Sequence, residues 1–208
     1  MKVVIAAGFL KEISICQPYD YLVAVDYAAF LALNQGLRVD LAIGDFDSVS
    51  KEQWQKIKES GIEIERLKAE KDETDLELAL SRALERYPQA EIKIIGSLGG
   101  RLDHELTNIY LPLTDKFLEY AEQICQENKQ NLIYYLKAGN HHLKRIPDKK
   151  YIAFIKVKAE NFSIKNAKYP LRAEDNFAEI YASNEFISKS MTISFDSGFV
   201  IVVYSSDK

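Results

Sequence analysis

The chain has 208 residues, enough for one large folded domain or two small ones with a real hydrophobic core. Hydrophobic residues make up 47% and charged residues 28%, the balance of an ordinary globular protein, and a formal net charge of -4 argues against a broad basic face for nucleic acid while leaving room for a local cationic pocket. The apolar run 3–10 is ended by Lys11 and Glu12, too short to span a membrane and followed by no cleavage region, so the expectation is a cytoplasmic protein without membrane association.

Residues 2–8 form a short apolar run closed by Gly8, the pattern of a parallel strand buried on both faces. Two cysteines, Cys16 and Cys125, have no CxxC or metal-ligand spacing and are expected to be buried thiols in a reducing compartment. Residues 21–26 make a second strand ending in Asp26. Residues 27–35 have helical spacing and stop at Gly36. Residues 37–43 predict a third buried strand, and Gly44-Asp45-Phe46-Asp47-Ser48 leaves its end. Two carboxylates separated by one residue can face a single cation if the loop bends. The same residues also suit a solvated turn. A helix over 51–60 buries Trp54 and Ile57, and 62–67 alternates like a strand with one wet face.

Lys68 to Asp75 then leads into a helical stripe over 76–87, ended by Pro88. Asp72 and Asp75 fall at its N-terminus, where a capping role is the plainest account of Asp72. Residues 91–96 form another strand, which runs into Ser97-Leu98-Gly99-Gly100-Arg101-Leu102-Asp103-His104. Adjacent glycines let backbone amides approach phosphate oxygens, Arg101 offers a planar fork, and a helix starting near Asp103 adds its positive end. His104 is read as a residue that caps, packs or positions. The stretch 114–126 reads either as one helix or as a helix followed by a short strand around Ile124-Cys125-Gln126.

Beyond Glu127-Asn128-Lys129-Gln130-Asn131 helical stripes give way to β-type runs at 132–136, 141–143, 151–157, 191–195 and 199–204. Turn signals at Ala138-Gly139-Asn140, Pro147-Asp148 and Asp196-Ser197-Gly198 separate them. His141 and His142 match no ligand spacing and are read as structural or exposed. The expected fold class is α/β: an N-terminal Rossmann-like parallel α/β/α domain over 1–128, followed by a C-terminal all-β sandwich over 129–208.

Acids thus end or follow successive elements at Asp26, Asp45, Asp47, Asp72, Asp75 and Asp103, with Lys71 and Arg101 among them. In a doubly wound sheet these loops can share one edge. Such a set suits Mg²⁺ and a polyphosphate. In order and spacing it resembles the thiamine pyrophosphokinase family. The matching stretches are 40–48, 70–79 and Gly99-Gly100-Arg101-Leu102-Asp103-His104, with Ser183-Asn184-Glu185-Phe186 in the β module. The resemblance covers essentially the whole chain. It implies a homodimer with active sites between subunits, Mg²⁺ as cofactor, and transfer of the pyrophosphoryl group of ATP to thiamine. By match it implies Asp45, Asp47 and Asp75 as metal ligands that with Arg101 carry catalysis. It also implies Asp26, Lys71, Asp72, Arg101 and Asp103 at the nucleotide and phosphate site, and Ser183 and Asn184 at thiamine. The β module would then bind thiamine and form the dimer.

One departure stands out. Family members commonly carry Asp-Gly-Gly where this chain has Asp26-Tyr27-Ala28, so Tyr27 narrows or reshapes that corner if the glycines serve close approach. Two rival readings remain at this point. Ile43 to Ser48 superficially resembles the Asp-x-Asp motif of haloacid-dehalogenase-like phosphatases, although that motif usually opens its fold. A nucleotide-sensing protein on a decayed enzyme scaffold is the non-enzymatic alternative.

Overall fold

The computed structural model describes residues 1–207 apart from Phe9, Cys16, Ala69 and Lys71. The chain divides into two units, Met1–Glu127 and Asn128–Lys208. In the first, six strands lie parallel: β1 (Lys2–Ala6), β2 (Tyr21–Val25), β3 (Leu41–Gly44), β4 (Glu63–Arg66), β5 (Glu91–Ile95) and β6 (Ile124–Glu127). Their spatial order is β6-β5-β1-β2-β3-β4. The chain steps outward from β1 to β4, then returns to the other side of β1 to lay down β5 and β6. The β1/β5 boundary is therefore a topological switch point, and a ligand crevice is expected at the carboxyl ends of the strands there.

Alternation along β1 shows why this sheet is covered on both sides. Val3 and Ile5 join one apolar cluster together with α3 (Asp75–Arg86), whereas Val4 and Ala6 join another with α1 (Tyr27–Asn34) and α2 (Lys51–Glu59). Caps fix where the helices start. Ser50 and Gln53 form a reciprocal capping box on α2. On α3 the cap is Thr74, whose hydroxyl accepts from the Glu77 N–H, so Asp72 lies outside the helix and does not cap it. Edge strand β4 turns Glu63 and Glu65 toward α3, where Arg86 and Arg82 meet them at 2.9 and 2.7 Å.

Two sequence expectations change in detail. The third strand starts at Leu41; Asp40 before it joins β2 through its side chain as well as its backbone, its N–H donating to the Leu22 carbonyl and its carboxylate accepting from the Leu22 N–H. After α4 (Leu102–Tyr110) comes a short 3₁₀ turn, Leu111–Leu113, and the ambiguous stretch 114–126 resolves into a second, Leu118–Gln123, followed by β6. Cys125 on β6 is a half-buried free thiol whose pKa burial pushes up to about 11, and Cys16 lies outside the described residues.

The second unit is antiparallel. Its strands are β7 (Asn131–Lys144), β8 (Tyr151–Val157), β9 (Ser163–Lys165), β10 (Ile180–Glu185) and β11 (Ser190–Ser205). The expected breaks at Ala138-Gly139-Asn140 and Asp196-Ser197-Gly198 are not hairpin turns. They lie opposite one another inside two long paired strands, where the register shifts between Phe195 and Phe199. Gly198, at φ 70°, has no room for a side chain, since a Cβ would stand 2.3 Å from the Lys158 carbonyl oxygen. Glycine here marks an irregularity within a strand rather than its end. Beyond the shift β11 pairs with β8, and before it with β9. Phe154, Phe162, Met191, Ile193 and Phe195 are buried in this unit.

Candidate active site

Gly44-Asp45-Phe46-Asp47 leaves the carboxyl end of β3. Phe46 adopts φ 60°, an uncommon conformation for a bulky residue, and its ring is buried against Trp54 at 4.7 Å. Driving the aromatic residue inward leaves the acids on either side of it facing outward. Asp45 then closes a local turn, accepting the Asp47 N–H at 3.0 Å.

Asp26, at the end of β2, also has positive φ, 50°, and its side chain does not cap α1. Instead its Oδ1 accepts the Phe46 N–H at 3.1 Å. Gly44 is what makes this possible: a Cβ there would lie 1.9 Å from that same oxygen. Burial pushes the Asp26 pKa up to about 7, and the neighbouring charges of Asp75, Asp45 and Asp47 push in the same direction. Asp26 therefore feels three acids that come from other segments of the chain.

Asp26, Asp45, Asp75 and Asp103 line one cavity of about 550 Å³ at the carboxyl edge of the sheet. Ala7 and Gly8 after β1 and Gly96 after β5 lie in its wall, at the switch point. Tyr27 is not in that wall. Its ring lies against Phe30 of the same helix at 5.9 Å, and Ala28 is a buried residue of α1, so both residues that replace the glycines are taken up in α1. Gly99 and Gly100 both have positive φ, 105° and 87°, and turn the chain into α4. There Arg101 clasps Asp103 through two hydrogen bonds of 3.2 and 2.6 Å. The pair is exposed, which makes its exchange for a phosphate partner inexpensive. The Asp103 carboxyl is held below its ordinary pKa by the Arg101 guanidinium.

Some predicted residues stand elsewhere. Asp72 is exposed and not in the cavity wall, Asp47 is exposed beside it, and Lys71 lies outside the described residues. Ser183 and Asn184 belong to the second unit. Ser183 is exposed at φ 59°, while Asn184 is buried and spends its amide on backbone, accepting from Tyr169 N and Glu185 N and donating to the Tyr169 carbonyl. The sequence reading missed Thr107 and Asn108, which also line the cavity. Their signal was helical spacing, four residues beyond Asp103 and His104 on the same face.

Among the described residues no three His, Cys, Asp or Glu side chains are gathered closely enough to hold a metal by themselves. That is compatible with Mg²⁺, which takes oxygen ligands and is usually bound by one or two carboxylates, several waters and substrate phosphates. The all-oxygen donor set, and the negative charge that Asp45, Asp47 and Asp75 bring to bear on Asp26, fit such an ion.

A doubly wound parallel sheet with acids and a glycine turn converging on its switch point defines an α/β protein with a candidate ligand site at that edge. Comparison with known proteins makes this specific. Residues 14–123 match the model for the thiamin pyrophosphokinase catalytic domain, and residues 140–200 match that for the thiamin pyrophosphokinase vitamin B1 binding domain. The thiamine pyrophosphokinase of Bacillus subtilis (strain 168) is 34% identical over 189 residues, 89% of this chain and 87% of its own length. The crystal structure of a thiamin pyrophosphokinase family protein from Enterococcus faecalis has a TM-score of 0.94 at 38% identity, covering 100% of both chains. The thiamin pyrophosphokinase of Geobacillus thermodenitrificans gives 0.85 at 30%, covering 100% of this chain and 99% of that one. The chain belongs to the thiamine pyrophosphokinase family and is an enzyme of the thiamine diphosphokinase class. The dehalogenase-like and non-enzymatic readings fall with that assignment.

Proposed function

We propose that this enzyme transfers the pyrophosphoryl group of ATP to the hydroxyl of thiamine in the presence of Mg²⁺, yielding thiamine diphosphate and AMP. The observation that carries the reading is the convergence of Asp26, Asp45, Asp75 and Asp103 on one cavity at the switch point of the sheet. The thiamine hydroxyl oxygen bonds to the β-phosphorus as the bond to the α–β bridging oxygen breaks, and AMP departs with that electron pair. Asp45, Asp47 and Asp75 would hold Mg²⁺. When bound, the ion supplies charge neutralisation for the phosphate oxygens. Arg101 releases Asp103 to meet phosphate, and Lys71 adds a second positive charge to the same loops. Among the acids, Asp26 is the one that burial holds near neutrality, which suits it to accept the hydroxyl proton. Asp72 extends the acidic loop before α3. In the second unit Ser183, held outward by the anchored Asn184, would contact thiamine.

The same reading gives the finer description of the fold, a Rossmann-like nucleotide domain and a β-sandwich that binds thiamine and pairs two copies into a homodimer. It also gives the cytoplasm as the place of work. Among the described residues no helix is long and apolar enough to cross a membrane. Incubation with ATP, Mg²⁺ and thiamine should form thiamine diphosphate and AMP in equal amounts. Asp45→Asn should lose most of that turnover with an unchanged circular dichroism spectrum. Folded wild-type protein that forms neither product would refute the proposal.

A further inference from the structure

Three buried polar side chains, one of them Asn108 of the cavity wall, form a closed circuit. The Ser97 hydroxyl donates to Gln126 Oε1 at 2.7 Å. Gln126 Nε2 donates to the Asn108 carbonyl at 2.6 Å, and Asn108 Nδ2 donates to the Ser97 carbonyl at 2.9 Å. The circuit ties Ser97, two residues beyond β5, to strand β6 and to helix α4. Ser97 and Gln126 are 0% exposed and Asn108 is 9% exposed. On β6, Ile124 and Gln126 share a face, yet only Ile124 joins the apolar core. A glutamine where strand alternation calls for an aliphatic residue is a local rule broken for a reason.

The reason lies in how α4 is held. Asn108 is its only buried residue, whereas Leu102, Leu106 and Tyr110 are 68%, 49% and 42% exposed. Apolar packing therefore does little to fix the rotation or sliding of this helix within the unit. A ring of directional hydrogen bonds does both, because each bond depends on angle as well as distance. The glycine turn ahead of α4 adds no stiffness of its own, since Gly99 and Gly100 carry no side chains. Its two ends are Ser97 and the helix that Asn108 anchors. Arg101, Asp103 and His104 ride on that helix start.

We infer that Ser97, Asn108 and Gln126 are positioning residues that set the glycine turn and the N-terminus of α4 against the cavity, and that their ring governs how well the site takes the phosphates of the nucleotide. The inference rests on the function proposed above and adds to it Asn108 of the cavity wall and two fully buried residues, Ser97 and Gln126, that act through it.

The test is steady-state kinetics with each substrate varied separately, alongside calorimetric binding of ATP. Asn108→Ala should raise the KM for ATP at least about tenfold while the KM for thiamine stays within about twofold. Ser97→Ala, a smaller lesion, should move the KM for ATP the same way by about threefold. A merely structural ring would reduce the folded fraction, lowering apparent kcat with KM for ATP unchanged, and that result in either folded variant overturns the inference. If Asn108→Ala fails to fold, Ser97→Ala decides alone. If the wild-type chain binds ATP yet makes no thiamine diphosphate, the functional reading falls by itself. The ring is then judged by ATP affinity, and an unchanged Kd in the variants overturns it. Wild-type protein that binds no ATP overturns both.

Discussion

Asp26 joins backbone strain, burial and charge in one residue. It sits at φ 50°, receives the Phe46 N–H, and occupies space that only a glycine at position 44 leaves open. Positive φ at non-glycine residues costs energy and persists where surroundings enforce it, often at functional sites. Besides Asp26, the described residues that show it include Phe46 and Ser183, both within or beside candidate site positions. The charge state of Asp26 sets a pH dependence. An aspartate in the unfolded chain titrates near pH 4, whereas the folded Asp26 titrates at about 7. Between those values the native state holds a proton that the unfolded state has lost. The stabilising effect is thus complete below about pH 4 and is lost as pH rises through about 7. Asn keeps an acceptor for the Phe46 N–H and does not titrate. Asp26→Asn should therefore gain in Tm on the wild type progressively from about pH 4.5 to about pH 7.5 without added divalent metal. A Tm difference that does not change with pH would show that Asp26 is not the group responsible.

At the scale of elements, the site depends on where α3 starts. Thr74 caps the helix and thereby makes Asp75 its first residue, at the edge of the cavity. Thr74→Ala removes the acceptor for the Glu77 N–H and should cost about 1 kcal/mol, or roughly 2–4 °C in Tm for a chain of this size. Thr74→Ser should restore it, and equal loss in both variants would locate the effect outside the cap. The elements also show what could be read from the sequence. The first unit was legible because its signals are local: apolar runs for strands buried on both faces, stripes for helices, and acids just past strand ends. What was not legible depends on pairing. Whether Ala138-Gly139-Asn140 ends a strand or bends one is decided by Phe195 and Phe199 across the ladder, far away in sequence. The Ser97–Gln126–Asn108 ring was hidden for the same reason, since its members lie on three elements and each alone resembles an ordinary polar residue. Asn184 was singled out by the family resemblance alone. Its burial and its bonds to Tyr169 could only come from the folded β10.

For the whole molecule, the two units raise the question of which copies supply one active site. The acids and the glycine turn all belong to residues 1–127, and Ser183 belongs to the second unit. Large apolar side chains are left exposed in each: Leu102 and Leu106 on α4, and Phe177, Ile180 and Ile187 in the second unit at 82%, 58% and 66%. Groups of exposed apolar residues are common where subunits meet, and a homodimer with shared sites would cover them. This arrangement has a measurable consequence. Asp45→Asn would damage the acidic site, and Ser183→Trp, a bulky replacement at an exposed position, would block the proposed thiamine contact. If each active site combines an acidic cavity from one copy with a thiamine contact from the other, a heterodimer of the two variants holds one doubly damaged site and one intact site. With random exchange, half the dimers are heterodimers, so equal mixing of two inactive variants should restore about a quarter of wild-type activity. Light scattering on the same samples should give about twice the chain mass of 23.8 kDa. A dimeric mixture that stays inactive after verified subunit exchange would place each site within a single copy.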